Sequence, residues 1–355
     1  MTTRLGSGGS PGMRFAVDGW DPGYGSSLEA EDDLGRSSAR VETDVEVAAA
    51  RWRPIPADPT LARPSAILFV DGVRRIEARI WIDDLPDPDA VARPDLAGLS
   101  SPATDASPAL CASYAAGAVC CCAAGAHLLT ALPRRGVFTV AGHAVDVRTP
   151  AGTYSAVRTT ADPEKGLAVT LSAALQRQLG ELEVLAATEA RASLPAHGVT
   201  GETDLMVVDG PLRGRQHLPR ALGFIKSHRA SYLPADLHAM VSVLAAGERT
   251  PVFRMGTSWD RHAWYLRLPG LPGAPWAGVV RLECSADLTT AEAVRLANVS
   301  QAALPRFAST EYKDSRAPQN LYPIGGLERE LRRRLGDPAL LYRSLRKAAR
   351  AGRRR

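Results

Sequence analysis

Two stretches of this chain share one unusual design. Residues 65–82 read SAILFVDGVRRIEARIWI, and residues 204–212 read DLMVVDGPL. In each, a run of large or β-branched apolar residues leads straight into an aspartate and then a glycine. Short apolar runs of this kind, ended by a turn signal, suit buried strands. A carboxylate at the end of such a strand is costly to bury unless it is paired with a positive group or bound to a cation. If the two strands are neighbours, Asp71 and Asp209 emerge at one rim. Their repulsion then raises one pKa unless a cation intervenes. Carboxylate-rich sites suit Mg2+ or Mn2+, and a pair of such ions stabilises the attacking and leaving oxygens of a phosphoryl displacement. The plainer alternative is that each aspartate caps its own turn, as Asp before Gly commonly does.

The rest of the composition narrows the class. With 355 residues, 45% hydrophobic and 23% charged, the chain has room for one large domain or two modest ones. No apolar run reaches the length of a membrane span, and MTTRLGSGGSPGM at the start lacks the apolar core of a secretory signal. A cytoplasmic protein with a flexible Gly/Ser tail is expected. Cys120, Cys121 and Cys122 stand in an Ala/Val-rich setting, with Cys111 and Cys284 elsewhere and no C-x-x-C pair. Buried, reduced thiols are expected rather than zinc ligands. The net charge of +5 is concentrated in RELRRRLGDPALLYRSLRKAARAGRRR at 329–355. That run reads either as a solvated helix end or as a phosphate-contacting surface.

Along the chain, VETDVEV (41–47) alternates like a half-exposed strand, and DGWDPGYG (18–25) carries turn chemistry. Residues 83–108 are rich in Pro, Asp and Ser and read as a long surface loop. Strands are expected at 109–122 and within 136–149. A helix is expected at 166–192, where Leu171, Leu175, Leu179, Leu182 and Leu185 recur at spacings of three or four. Further strands are expected at 221–228, 250–256, 263–270 and 278–285, the last three as a meander. A helix over 288–304 opens on the capping pair Thr289–Glu292, and a final helix starts near Leu327. Strands interleaved with helices make a mixed α/β sheet with helices on its faces.

Other side chains extend the metal hypothesis. On the helix before the second aspartate, Glu183 follows Leu182 and Glu189 lies four residues after Leu185, so both flank the apolar stripe, while Glu181 points elsewhere. Lys226, in GFIKSH, follows a strand-like run. It reads either as a neutraliser of developing phosphate charge or as a salt-bridge partner of a rim aspartate. Basic residues in RGRQHLPR (213–220) and at Arg74–Arg75 adjoin the two aspartates, which favours a polyanionic substrate such as nucleic acid. His228 could assist but has no spacing partner, and His197, His217, His238 and His262 are no better as metal ligands. No Walker A loop, dinucleotide fingerprint or Ser-His-Asp order is present.

Taken in order, FVDGVRR, VVDGPL, LGFIKSH, WYLRL and NLYPIGGLE resemble the NurA family of DNA-repair nucleases across about 15–345. The resemblance implies an RNase H-like mixed sheet flanked by helices, with an N-terminal extension and a basic C-terminal helix. It also implies a homodimer, Mn2+-dependent (or Mg2+-dependent) cleavage of DNA by exonuclease and single-strand endonuclease action, and a HerA-type hexameric ATPase as partner. The implied organisation is a tail over 1–12, a segment over 13–64 packed on the core, a nuclease domain over 65–345 and a basic tail over 346–355. Matched by position, Asp71 and Asp209 are the strand aspartates, Glu183 (or Glu189) the helix glutamate, and Lys226 the lysine. The family's C-terminal motif has Tyr-Pro followed by histidine. Tyr322 and Pro323 match, but no histidine follows, and Glu330 stands near its place with Glu328 close by. Two further readings compete. One is a nuclease-like subunit that binds DNA or regulates an ATPase without cutting. The other is a sugar-kinase-like phosphotransferase, for which DGVRR lacks the glycine and hydroxyl residues of a phosphate hairpin.

Overall fold

The first Asp-Gly stretch forms one long strand, Ala66–Asp83 (β3), and the sheet is built around it. The structure, a computed structural model, describes residues 15–17, 39–83, 106–200, 203–226, 231–270, 276–310, 313 and 317–352. Before β3 come Phe15–Val17 (β1) and Arg40–Glu42 (β2). After it come Ala106–Cys122 (β4), Gly125–Thr139 (β5), Val147–Thr149 (β6), Gly152–Arg158 (β7), Asp204–Asp209 (β8) and Ala221–Ile225 (β9). Phe253–Gly256 (β10), Asp260–Arg267 (β11) and Val279–Ser285 (β12) complete the strands. The order across the sheet is β2-β10-β11-β12-β9-β8-β3-β4-β5-β7-β6, with β1 also on β3. The pairs β3–β8, β8–β9 and β5–β7 are parallel, and the other pairs are antiparallel. The helices are Leu167–Ser193 (α1), Ala235–Ser242 (α2), Thr290–Ala303 (α3), Tyr322–Arg334 (α4) and Pro338–Gly352 (α5).

Alternation along the strands sorts the side chains onto two covered faces. Ala66, Leu68, Val70, Ala118 and Cys120 pack with Ala187 and Ala190 of α1. Ile67, Phe69, Leu205 and Val207 pack on the opposite face with Ala293 and Ala297 of α3. On that second face Val73 and Ala115 meet Leu327 and Leu331 of α4. Burial on both sides is why the strand sequences read as unbroken apolar runs.

Several expectations need correction. The strand read over 41–47 is only Arg40–Glu42. The hairpin of β4 with β5 brings in residues 125–135, which were not read as strand. In α1 the buried stripe runs Leu171, Leu175, Leu179, Leu182 and Ala186, whereas Leu185 is 43% exposed. The C-terminal helix begins at Tyr322 rather than near Leu327, and a second helix follows it. The turn at 18–25, the tail over 1–12 and His228 lie outside the described residues. So do residues 84–105 of the expected loop, while Asp83 belongs to β3 and 106–108 to β4. The capping box of α3 forms as read: Thr289 Oγ1 accepts from the Glu292 N–H at 3.3 Å, and Glu292 Oε2 accepts from the Thr289 N–H at 2.8 Å. Cys111, Cys120 and Cys284 are buried free thiols, and Cys121 and Cys122 are half-buried free thiols. Among the described residues, no helix is long and apolar enough to cross a membrane.

Candidate metal centre

In the parallel register of β3 and β8, Val70 lies beside Val208, so the next residue of each strand, Asp71 and Asp209, reaches the same rim. Each aspartate sits two positions beyond a residue packed toward α3, Phe69 and Val207 respectively, and so belongs to the α3/α4 face. There α4 supplies Glu328. Asp71, Asp209 and Glu328 each offer an oxygen, all within 4.8 Å of one another.

Asp71 is only 6% exposed. Its Oδ1 accepts from the Gly72 N–H at 2.7 Å, and its buried Oδ2 has no hydrogen-bond partner among the described residues. Burial and the negative charges of Asp209 and Glu183 push its pKa well above the ordinary carboxylate value, and Lys226 opposes them. A buried carboxylate oxygen facing other carboxylates fits a bound divalent cation, which would reverse these penalties. Asp209 Oδ2 accepts from Lys226 Nζ at 2.7 Å, and Lys226 donates also to Oδ1 of the buried Asn320 at 2.9 Å. Lys226 is thus the ion-pair partner of a rim aspartate.

Two glycines let the helices close on this rim. Gly72, beside Asp71, faces α1. A Cβ there would collide with Glu183 Oε1 and stand 2.8 Å from Leu179 Cδ1. Its absence brings Glu183 to the rim from the α1 side. Gly117, directly across β4 from Asp71, faces α4. A Cβ there would stand 3.0 Å from Leu331 Cδ2 and 3.3 Å from Leu327 Cδ1. Its absence seats α4 close enough to present Glu328.

Glu183 is buried and ion-paired with Arg215, itself only 8% exposed. Burial pushes the Glu183 pKa up to about 7, against the pull of Arg215 and with the help of Asp209. Glu189 is exposed on α1. Glu330, which the resemblance puts near the place of the family's last ligand, does not join the cluster, whereas its neighbour Glu328 does. Glu330 binds Arg333 at 2.8 Å and Arg334 at 2.7 Å, and these pull its pKa down to about 2. The buried residues Ile324, Leu327 and Leu331 set the phase of α4. Glu328, four after Ile324 and three before Leu331, lies on the sheet side, and Glu330 does not.

The rim opens into a cleft of about 1280 Å³, lined by Arg74, Arg177, Arg213, Arg215, His217 and Arg332 as well as by the carboxylates. The basic stretch 213–220 is therefore divided. Arg213, Arg215 and His217 line the cleft, while Arg220 binds Asp204 at 2.7 Å at the opposite strand end. Arg74 lines the cleft, whereas Arg75 pairs with Glu77 and donates to the carbonyl of Gly336 beyond α4. Sequence reasoning missed Arg215 as an individual residue, and it missed Glu283. Wholly buried on β12, Glu283 accepts from the Leu212 N–H at 2.8 Å and pairs with Arg261 at 3.1 Å, anchoring the loop that carries Arg213 and Arg215.

No family model matches the sequence. No curated protein matches it either. Among solved structures, the NurA nuclease from Sulfolobus solfataricus is similar at 9% identity and a TM-score of 0.39, over 80% of this chain and 84% of that one.

Proposed function

We propose that this protein is a divalent-metal-dependent deoxyribonuclease of RNase H-like, NurA type. The observation that carries the reading is the buried Oδ2 of Asp71, without a hydrogen-bond partner among the described residues and set with Asp209 and Glu328 in a cleft also lined by Arg74, Arg177, Arg213, Arg215 and Arg332. Asp71, Asp209 and Glu328 would hold Mn2+ or Mg2+. When bound, such an ion supplies an acidified water and neutralises charge on a phosphate oxygen. The chain's own residues do the rest. Lys226 and Asn320 hold the Asp209 carboxylate in place. Arg74, Arg177, Arg213 and Arg332 bind the phosphates of a strand lying in the cleft. The narrow fork between Gly72 and Gly117 fixes the two helices so that these groups share one rim. The finer reading is cleavage in DNA end processing, by a homodimer in a reducing, cytoplasmic setting, served by a HerA-type ATPase.

The test is cleavage of end-labelled single-stranded DNA in Mn2+ by the purified protein. Asp71→Asn and Asp209→Asn are each expected to lower the rate by about a hundredfold or more, the scale seen when one charge-stabilising group is removed from an active site. Cleavage that survives both substitutions removes this site from the reaction. A second reading is a DNA-binding subunit that does not cut. It is favoured by the missing C-terminal histidine and by the capture of Glu330 by Arg333 and Arg334. DNA binding with no cleavage in any divalent metal selects it.

A further inference from the structure

Resting on the metal-dependent reading above, we propose that Arg215 occupies the position a second ion would hold, so that the centre binds one divalent cation beside a resident guanidinium. The carboxylates of the rim fall into two sets. Asp71, Asp209 and Glu328 converge on the α4 side of the sheet. Glu183 arrives over Gly72 from the α1 side, and its carboxylate is already paired with Arg215. A two-ion site holds its ions about 3.5–4 Å apart, and even where an aspartate bridges them the second ion needs a further carboxylate of its own. Beyond the first set, the buried carboxylate at this rim among the described residues is Glu183, and a buried guanidinium stands on it; Glu181, expected to point elsewhere, also lines the cleft but is exposed and bonded to Gln178.

Arg215 is built into that position. Its Nη1 donates to the Pro211 carbonyl at 2.9 Å, and the loop between them is pinned by the Leu212 N–H on the buried Glu283 at 2.8 Å. Its Nε is buried with no hydrogen-bond partner among the described residues, and the residue lines the cleft. Of its five N–H groups, those not spent on Pro211 and Glu183 are left for a substrate oxygen in the cleft. Unlike a water-bound ion, a guanidinium keeps its charge at every working pH and presents fixed donors to a phosphate.

The experiment is a Mn2+ titration of the full-length, metal-free protein, read by electron paramagnetic resonance. Bound ions are counted from the loss of the free-ion signal, and neighbouring pairs are recognised by their spin coupling. Wild type is expected to bind one uncoupled Mn2+ per chain. Arg215→Ala and Arg215→Met, both confirmed as folded by circular dichroism, are expected to bind two, spin-coupled. Arg215→Lys, which keeps a cation there, is expected to stay at one. Two coupled ions in wild type overturn the proposal and leave the metal-dependent reading standing, and this arm does not depend on any variant folding. One ion in both neutral variants overturns it as well. No Mn2+ bound to wild type overturns both.

Discussion

Gly72→Ala tests how Glu183 reaches the rim. The backbone at Gly72 is not in the left-handed region, so alanine fits the strand, and the penalty is steric. The new Cβ would collide with Glu183 Oε1 and stand 2.8 Å from Leu179 Cδ1 and 3.0 Å from Leu179 Cγ. Glu183 can swing its carboxylate away, but Leu179 is a buried member of the α1 stripe and has little room to yield. Overpacking of this kind costs about 1–3 kcal/mol. A Cβ returns about 0.4–1 kcal/mol by restricting the unfolded chain. The net expected loss is therefore about 1–2 kcal/mol. Chemical denaturation followed by circular dichroism, analysed by linear extrapolation, measures it. Gly142→Ala is the control, because a Cβ there meets nothing within 4 Å. The same Gly72→Ala protein should cleave DNA poorly, since Glu183 and its partner Arg215 are displaced together. Stability equal to wild type, together with undiminished cleavage, would refute the packing of α1 against Gly72.

Two other outcomes are expected. Asp71 and Glu183 hold their protons to higher pH in the folded protein than in the unfolded chain, so metal-free stability should fall as pH rises, for Glu183 from about 4.5 through 7. Glu183 alone accounts for about 3 kcal/mol across that window, and Mn2+ or the Asp71→Asn change should flatten the slope seen by thermal melts in chelator. In calorimetric Mn2+ titrations, Glu328→Gln should weaken binding at least about tenfold while Glu330→Gln leaves it unchanged. Equal effects of the two would show that the phase of α4 is not what selects the ligand.

The most legible part of the molecule was the pair of Asp-Gly strand ends. Their short apolar runs, each ended by Asp-Gly, suited buried strands, and the parallel register of Val70 with Val208 brings Asp71 and Asp209 together. The stripe of α1 and the Thr289–Glu292 cap were equally direct, because both are local signals. The sequence offered both Glu330 and Glu328, and the phase of a helix that begins at Tyr322 decides which of them joins the aspartates. Read from Pro323, the spacing of Ile324, Leu327 and Leu331 already turns Glu328 inward. Residues 125–135 escaped because His127, Pro133, Arg134 and Arg135 break the alternation expected of a strand. Arg215 and Glu283 were illegible for a different reason. An arginine in a basic loop and a glutamate in a strand gain their meaning only from partners 32 and 71 residues away in sequence, Glu183 and Leu212.

The most direct measurement of the central claim is an anomalous difference map from crystals of this protein soaked in Mn2+. A peak is expected within coordination distance of Asp71, Asp209 and Glu328, with the Glu183–Arg215 pair intact beside it. A map with no peak between the two aspartates, or with Mn2+ bound at Glu330 instead, would contradict the account.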